Sequence, residues 1–346
     1  MIKSYVPGKG KESVPPGVKV VKLGSNENPL GPSKRVLKAI HGVSKSAVNL
    51  YPNSMEKELK TAISEYVGVS EGHIVTGNGS DEVLELSTKV FLNRYEKAVI
   101  PYPTFSLYEN IVRVYSGEPI FVPLNLNFEY NVERLIEAID KGTKIVFICS
   151  PNNPTGSTIS RRDLKELLME EVVVILDEAY AEFAGESNVE LVDQYENLVV
   201  LRTFSKAFGL AGLRVGYAIA DEKVAEFMNK VRLPFSVNTL AQISALAALR
   251  DREHLNESVS LVKSGRDLLF RELSKIQGIK VYPSEGNFLL VNTPRRTDVT
   301  DELLARGVIV RDCGGFRGLS REYFRVSIGT PEENELFLKA LKEIIR

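Results

Sequence analysis

Short apolar runs alternate with amphipathic stretches through most of this chain. Residues 98–100, 119–123, 144–149, 172–176, 198–201 and 214–220 are apolar almost throughout and too short for surface helices. That pattern predicts extended segments, most of them strands covered on both faces of a sheet. Between them, residues 33–40, 55–67, 104–114, 132–139 and 161–169 carry helical spacing, with Ser33 placed to cap the first. Strand and helix in alternation predict an α/β fold, a mostly parallel sheet with helices on both faces.

The pattern changes near Pro234. A long helical stretch with breaks covers 240–276, and then short strands at 279–282, 288–291, 308–311 and 323–328 mix with helices at 299–306 and 331–345. This predicts a smaller α+β domain. We therefore expect an N-terminal arm at 1–30, a large domain at 31–235 and a small C-terminal domain at 236–346. The arm holds Ser25-Asn26-Glu27-Asn28-Pro29-Leu30-Gly31-Pro32, too many turn formers for a helix interior. It needs something else to hold it.

Composition narrows the function. The chain has 346 residues, 43% of them hydrophobic, and a formal net charge of −1, so it can bury a large core but carries no electrostatic footprint for nucleic acid. No apolar run reaches membrane-span length and the N-terminus has no apolar leader, so the expected location is cytoplasmic. The two cysteines, Cys149 and Cys313, match neither a disulfide framework nor a metal spacing.

The candidate chemistry sits where apolar runs end. Leu198-Val199-Val200-Leu201 leads into Thr203, Ser205 and Lys206, with Arg214 following, and ligands of open α/β sheets bind at this strand edge. Enclosure and a neighbouring cation lower a lysine's pKa and free its amine for a Schiff base. Asp177 ends another apolar run, where a carboxylate needs a partner, and Tyr180 follows close behind. Gly77-Asn78-Gly79-Ser80-Asp81-Glu82 reads as strand, glycine turn and helix start. It suits an anion or an ordinary capped helix equally. Arg325 interrupts an apolar strand, as an anion receptor or as one half of an ion pair. Tyr51 lies in the extended corner Leu50-Tyr51-Pro52.

Together, N-P-x-G at 153–156, D-x-x-Y at 177–180, S-K at 205–206 and Arg214 resemble the fold type I aminotransferases that use pyridoxal 5'-phosphate. The arm at 25–32, G-N-G-S-D-E at 77–82, D-E-A-Y at 177–180 and 202–214 resemble the histidinol-phosphate aminotransferases within that group. The resemblance implies a seven-stranded, mostly parallel sheet and an exchange of an amino group between L-histidinol phosphate and glutamate/2-oxoglutarate. It implies that Lys206 binds the cofactor covalently and acts as base, and that Asp177 pairs with the ring nitrogen. Asn153 and Tyr180 would meet the ring's phenolic oxygen, and Phe105 would stack on the ring where tyrosine is frequent. Backbone N–H groups at Ser80, Asp81 and Glu82, with Thr203, Ser205 and Arg214, would hold the phosphate. Arg325, Arg311, Asn26 and Tyr5 would bind substrate. A homodimer is implied, with Tyr51 and Tyr5 reaching the neighbour's site.

Other readings are weaker on the residues themselves. Aromatic aminotransferases and threonine-phosphate decarboxylases share a similar framework. A non-catalytic relative would lack Lys206. The glycine turn has neither the lysine of a P-loop nor the spacing of a dinucleotide fingerprint.

Overall fold

The computed structural model describes residues 8–52 and 57–345. Thirteen strands occur among them. Seven build the main sheet: β2 Ile74–Gly77, β3 Lys97–Tyr102, β4 Glu118–Pro123, β5 Thr143–Cys149, β6 Val173–Asp177, β7 Leu198–Thr203 and β8 Gly216–Ala220. The rest are β1 Val21–Lys22, β9 Lys280–Val281, β10 Phe288–Asn292, β11 Val308–Ile309, β12 Arg311–Asp312 and β13 Tyr323–Ser327.

The main sheet runs β2-β8-β7-β6-β5-β3-β4, parallel from β7 to β4 and antiparallel on both sides of β8. Because β8 is reversed, β2 points the same way as β7. The glycine turn after β2 therefore opens at the same edge as the ends of β5, β6 and β7. Gly216 is the hinge of this geometry. It faces Gly77 on one side and Thr203 on the other, and a Cβ there would lie 2.4 Å from Ser80 N.

Alternation along the central strands splits their side chains between two apolar layers. Val146, Ile148, Val174, Leu176, Leu198 and Val200 join one, while Ile145, Phe147, Ile175, Val199 and Leu201 join the other. Each such buried side chain contributes roughly 1.5–3 kcal/mol. Helices Ser80–Phe91 and Leu107–Val114 cover the second layer with Val83, Leu84, Leu86, Tyr108, Ile111 and Val112. Helices Lys57–Val67 and Arg161–Leu168 cover the first.

Helix starts follow the capping residues. Ser33, Asn131 and Ser160 each accept a backbone N–H of the turn they begin. The expected stretch at 240–276 is two helices, Thr239–Leu249 and Arg252–Leu273, because Asp251 caps a second start through His254 N.

A four-stranded antiparallel sheet, β12-β13-β10-β9, forms the C-terminal α+β part. The arm is tied to it. β1 pairs in parallel with β11, Leu23 N–H donates to Ile309 O, and Ser327 N–H donates to Leu23 O. This is the anchor that the turn-rich arm needs.

Candidate active site

A cavity of about 210 Å³ opens where the edge of the main sheet meets the arm and the C-terminal sheet. Lys206 Nζ enters from the loop after β7, donates to Ser25 O at 3.2 Å and lies 5.6 Å from the centre of the Tyr180 ring. Enclosure, then the Arg325 guanidinium, and more weakly Arg214, push its pKa down to about 8, against the opposing pull of Asp81 and Glu27. The sequence reading assigned the neighbouring cation to Arg214. The structure gives the larger share to Arg325, which crosses over from β13.

Asp177, at the end of β6, is 7% exposed. Its Oδ2 accepts the Tyr108 hydroxyl at 2.7 Å and its Oδ1 accepts Ala179 N–H at 3.0 Å. Burial outweighs both hydrogen bonds and raises its pKa to about 6. These contacts come from neutral donors. Tyr180, one turn further on, accepts Asn26 Nδ2 on its hydroxyl at 3.1 Å and sets its ring edge-on to Phe288.

The arm shapes the opposite wall. Asn26 adopts a left-handed φ of 54° and is fully buried. Its backbone N–H donates to Ser327 Oγ, its carbonyl accepts Asn287 Nδ2, and its side chain reaches Tyr180. This αL geometry, which asparagine tolerates better than most residues, turns the arm across the cavity.

At the glycine turn, Gly79 has φ +86° and begins helix Ser80–Phe91 without a side-chain cap. The first N–H groups of that helix lack the usual side-chain acceptor. Arg214 reaches Asp81 Oδ2 at 2.8 Å and Ser205 Oγ at 3.5 Å, and a Cβ on Gly79 would lie 2.6 Å from its Nη2. Thr203 Oγ1 accepts Ser205 N–H. The Arg214–Asp81 pair is 43% and 48% exposed in its side chains. Such a pair is worth little, so a doubly charged anion can displace Asp81 from the guanidinium.

Arg325 is buried. Its Nη1 donates to Asn153 Oδ1 and its Nη2 to Gly24 O. Arg311 lines the same cavity, its guanidinium 5.8 Å from the Phe316 ring centre. Asp312, its sequence neighbour, is engaged by Arg321 Nε at 3.1 Å and by Gly314 N–H.

Ser80, Asp81, Phe105, Asn153, Asp177, Tyr180, Thr203, Ser205, Lys206, Arg214, Arg311, Arg325 and Asn26 therefore meet at one cavity. Glu82 lies outside its lining, its carboxylate turned back to Asn78 N–H. Tyr51 also lies outside. It is 83% exposed, stacked on Phe235 beside a separate apolar cleft. Tyr5 lies outside the described residues.

Two features escaped the sequence reading. Tyr108 sits on a helical apolar stripe, and nothing in its spacing distinguishes it from core. Arg202, on the face of β7 opposite Thr203, is enclosed with Glu178 and Glu182 at 3.1 and 2.6 Å, all three side chains 6% exposed or less. This triad ties β7 to the segment after β6 that carries Tyr180. Its signal was a pair of carboxylates and an arginine flanking the motif residues.

The residues fit pyridoxal 5'-phosphate. An uncapped helix start with Arg214, Ser205 and Thr203 suits its phosphate, a buried carboxylate suits its ring nitrogen, and an amine with a lowered pKa suits its aldehyde. The family described as aminotransferase class I and II matches residues 18–341. The chain belongs to that family. A histidinol-phosphate aminotransferase from Methanosarcina mazei is 41% identical over 99% of this chain and 94% of its own length. One from Methanocaldococcus jannaschii is also 41% identical, over 99% and 95%. Among solved structures, the histidinol-phosphate aminotransferase from Clostridium acetobutylicum superposes with a TM-score of 0.88 at 30% identity, covering 94% of this chain and 99% of that one. The enzyme from Sinorhizobium meliloti, solved with pyridoxal-5'-phosphate, gives 0.86 at 26%, covering 95% and 92%.

Proposed function

We propose that this aminotransferase moves an amino group between L-histidinol phosphate and 2-oxoglutarate, giving imidazole acetol phosphate and glutamate in histidine biosynthesis. The observation that carries the reading is the meeting of Lys206, Asp177 and the Arg311–Arg325 pair at one cavity, in a chain whose relatives bear that activity in their names.

Pyridoxal 5'-phosphate, when bound, supplies an electron sink for the substrate carbon that loses its proton. The chain's residues do the rest. Lys206, with a pKa near 8, is neutral in roughly a tenth of molecules at pH 7, enough to take covalent hold of an aldehyde. With substrate in the cavity, a free Nζ would be the base that holds and moves the proton at the substrate's reacting carbon. Asp177 would keep a negative charge beside the ring nitrogen. Asn153 and Tyr180 would present polar groups to the phenolic oxygen, Phe105 would lie against the ring, and the Ser80 and Asp81 N–H groups with Thr203, Ser205 and Arg214 would hold the phosphate.

Substrate binding must satisfy two unlike molecules. Histidinol phosphate has no carboxylate and glutamate has two. Arg325 takes the α-carboxylate of glutamate and Arg311 its γ-carboxylate, and both help hold the phosphate of the other substrate. Asn26 completes that wall.

The working form in this reading is a cytoplasmic homodimer, divided into an arm at 1–30, a large domain at 31–235 and a small domain at 236–346. Exposed Val48, Leu50, Tyr51, Leu233 and Phe235 support an apolar interface from which Tyr51 reaches the neighbour's cofactor phosphate. Among the described residues no helix is long and apolar enough to cross a membrane.

Comparing kcat/KM for L-histidinol phosphate, phenylalanine and threonine phosphate tests this reading. Histidinol phosphate should win by roughly 100-fold or more. Preference for phenylalanine, or release of carbon dioxide from threonine phosphate, would overturn it.

A further inference from the structure

Tyr108 lies on helix Leu107–Val114 and is 1% exposed. Its ring stacks on Phe147 with centroids 5.1 Å apart and planes 7° apart, and it meets Phe105 edge-on at 5.7 Å. Its hydroxyl donates to Asp177 Oδ2 at 2.7 Å. We propose that Tyr108 is a positioning residue that keeps Asp177 ionised and aimed, acting on the cofactor through that carboxylate. The proposal rests on the reading of Asp177 as the partner of the ring nitrogen.

The chemistry explains why a phenol stands here. A buried carboxylate tends to take up a proton, and a hydrogen bond to its charged form opposes that. Lysine or arginine at this place would also oppose it, but would neutralise the charge intended for the ring. A neutral donor stabilises the anion and leaves its charge available. Burial and the Asp177 charge hold the Tyr108 phenol protonated far above working pH, so it remains a donor throughout.

The other groups around Asp177 do not replace it. Asp81, from the helix after β2, disfavours its ionisation, and Lys206, from the loop after β7, favours it only weakly. Cys149 at the end of β5, Tyr130 and Tyr180 are all pushed upward by burial and stay uncharged. Ala179 N–H serves the other oxygen.

Tyr108→Phe keeps the ring packing and removes the donor. The affinity of cofactor-free protein for pyridoxal 5'-phosphate should be measured between pH 5 and 8.5 by absorbance titration. In the native protein the acid limb, set by Asp177, should fall near pH 6. In Tyr108→Phe it should move up by about one pH unit, a loss of affinity of about fivefold at pH 6 and close to tenfold at pH 5 that closes above pH 8. In turnover, kcat should fall while KM for L-histidinol phosphate holds. Adding Tyr108→Phe to Asp177→Asn should change nothing further. Phe147→Leu, which disturbs the stack and leaves the hydroxyl, should lower Tm without moving the limb. An unmoved limb in Tyr108→Phe, with a shifted profile in Asp177→Asn, would overturn the proposal and leave Asp177's role standing. An unshifted profile in Asp177→Asn would overturn Asp177's role and the proposal together.

Discussion

Arg311 of β12 and Arg325 of β13 stand directly opposite each other in an antiparallel register. Opposed residues share one face of a sheet, and two like charges so placed repel. An anion between them converts that repulsion into binding. Arg325→Ala and Arg311→Ala should each lower kcat/KM in both half-reactions by about 2 kcal/mol or more, close to 30-fold. Should Arg311→Ala leave both half-reactions at native rates, the residue is structural, and another group reads the distal anion.

Removing the amine of Lys206 removes the covalent link to the cofactor. Lys206→Ala should fold, bind pyridoxal 5'-phosphate without the absorbance band of the lysine-linked form, and show no turnover. Native turnover in that variant would refute the assignment.

Asp177 has opposite effects on stability and on rate. Burial raises its pKa in the folded, cofactor-free protein to about 6, above the ordinary carboxylate value of 3.8. A raised carboxylate pKa adds stability that is fully present below the unfolded value and is lost as pH rises through the folded one. Cofactor-free Asp177→Asn should therefore gain on the native protein between pH 4 and 6, by about 1–3 kcal/mol once ionisation is complete. Chemical denaturation at pH 4 and pH 7.5 measures the difference, and a constant offset would contradict the buried charge. With cofactor bound, the same variant should lose several kcal/mol of barrier lowering in proton transfer, read as the single-turnover rate.

Tyr51 supplies the test of a shared site. Tyr51→Phe should weaken cofactor retention. A more severe, inactive Tyr51 variant mixed with Lys206→Ala should recover activity, since one of the two hybrid sites then has native copies of both residues. No recovery in hybrids whose formation is verified would place Tyr51 outside the neighbour's site.

Much of this arrangement could be read from local pattern. Apolar runs ending in Asp177 and Thr203 betray strands whose polar ends gather at one sheet edge, and the glycine turn betrays a helix start. The arm's anchor could not be read, because a two-residue strand such as Val21–Lys22 has no period to detect and depends on a partner nearly three hundred residues away. The Arg311–Arg325 register is equally non-local. Tyr108 hides for a different reason: a buried phenol and a core aromatic share one helical spacing, and only the fold shows what its hydroxyl meets. Breaks were legible in the stretch at 240–276, but their place was not: Asp251 sets one by capping a second helix start.

If Lys206, Asp177 and the arginine pair serve amino-group exchange from histidinol phosphate, one half-reaction shows it: cofactor-loaded protein mixed with L-histidinol phosphate alone, with the absorbance followed in a stopped-flow instrument. The cofactor should convert rapidly from its aldehyde to its amine form, and 2-oxoglutarate should reverse the change. An unchanged spectrum with histidinol phosphate, from protein that phenylalanine converts readily, would contradict that role.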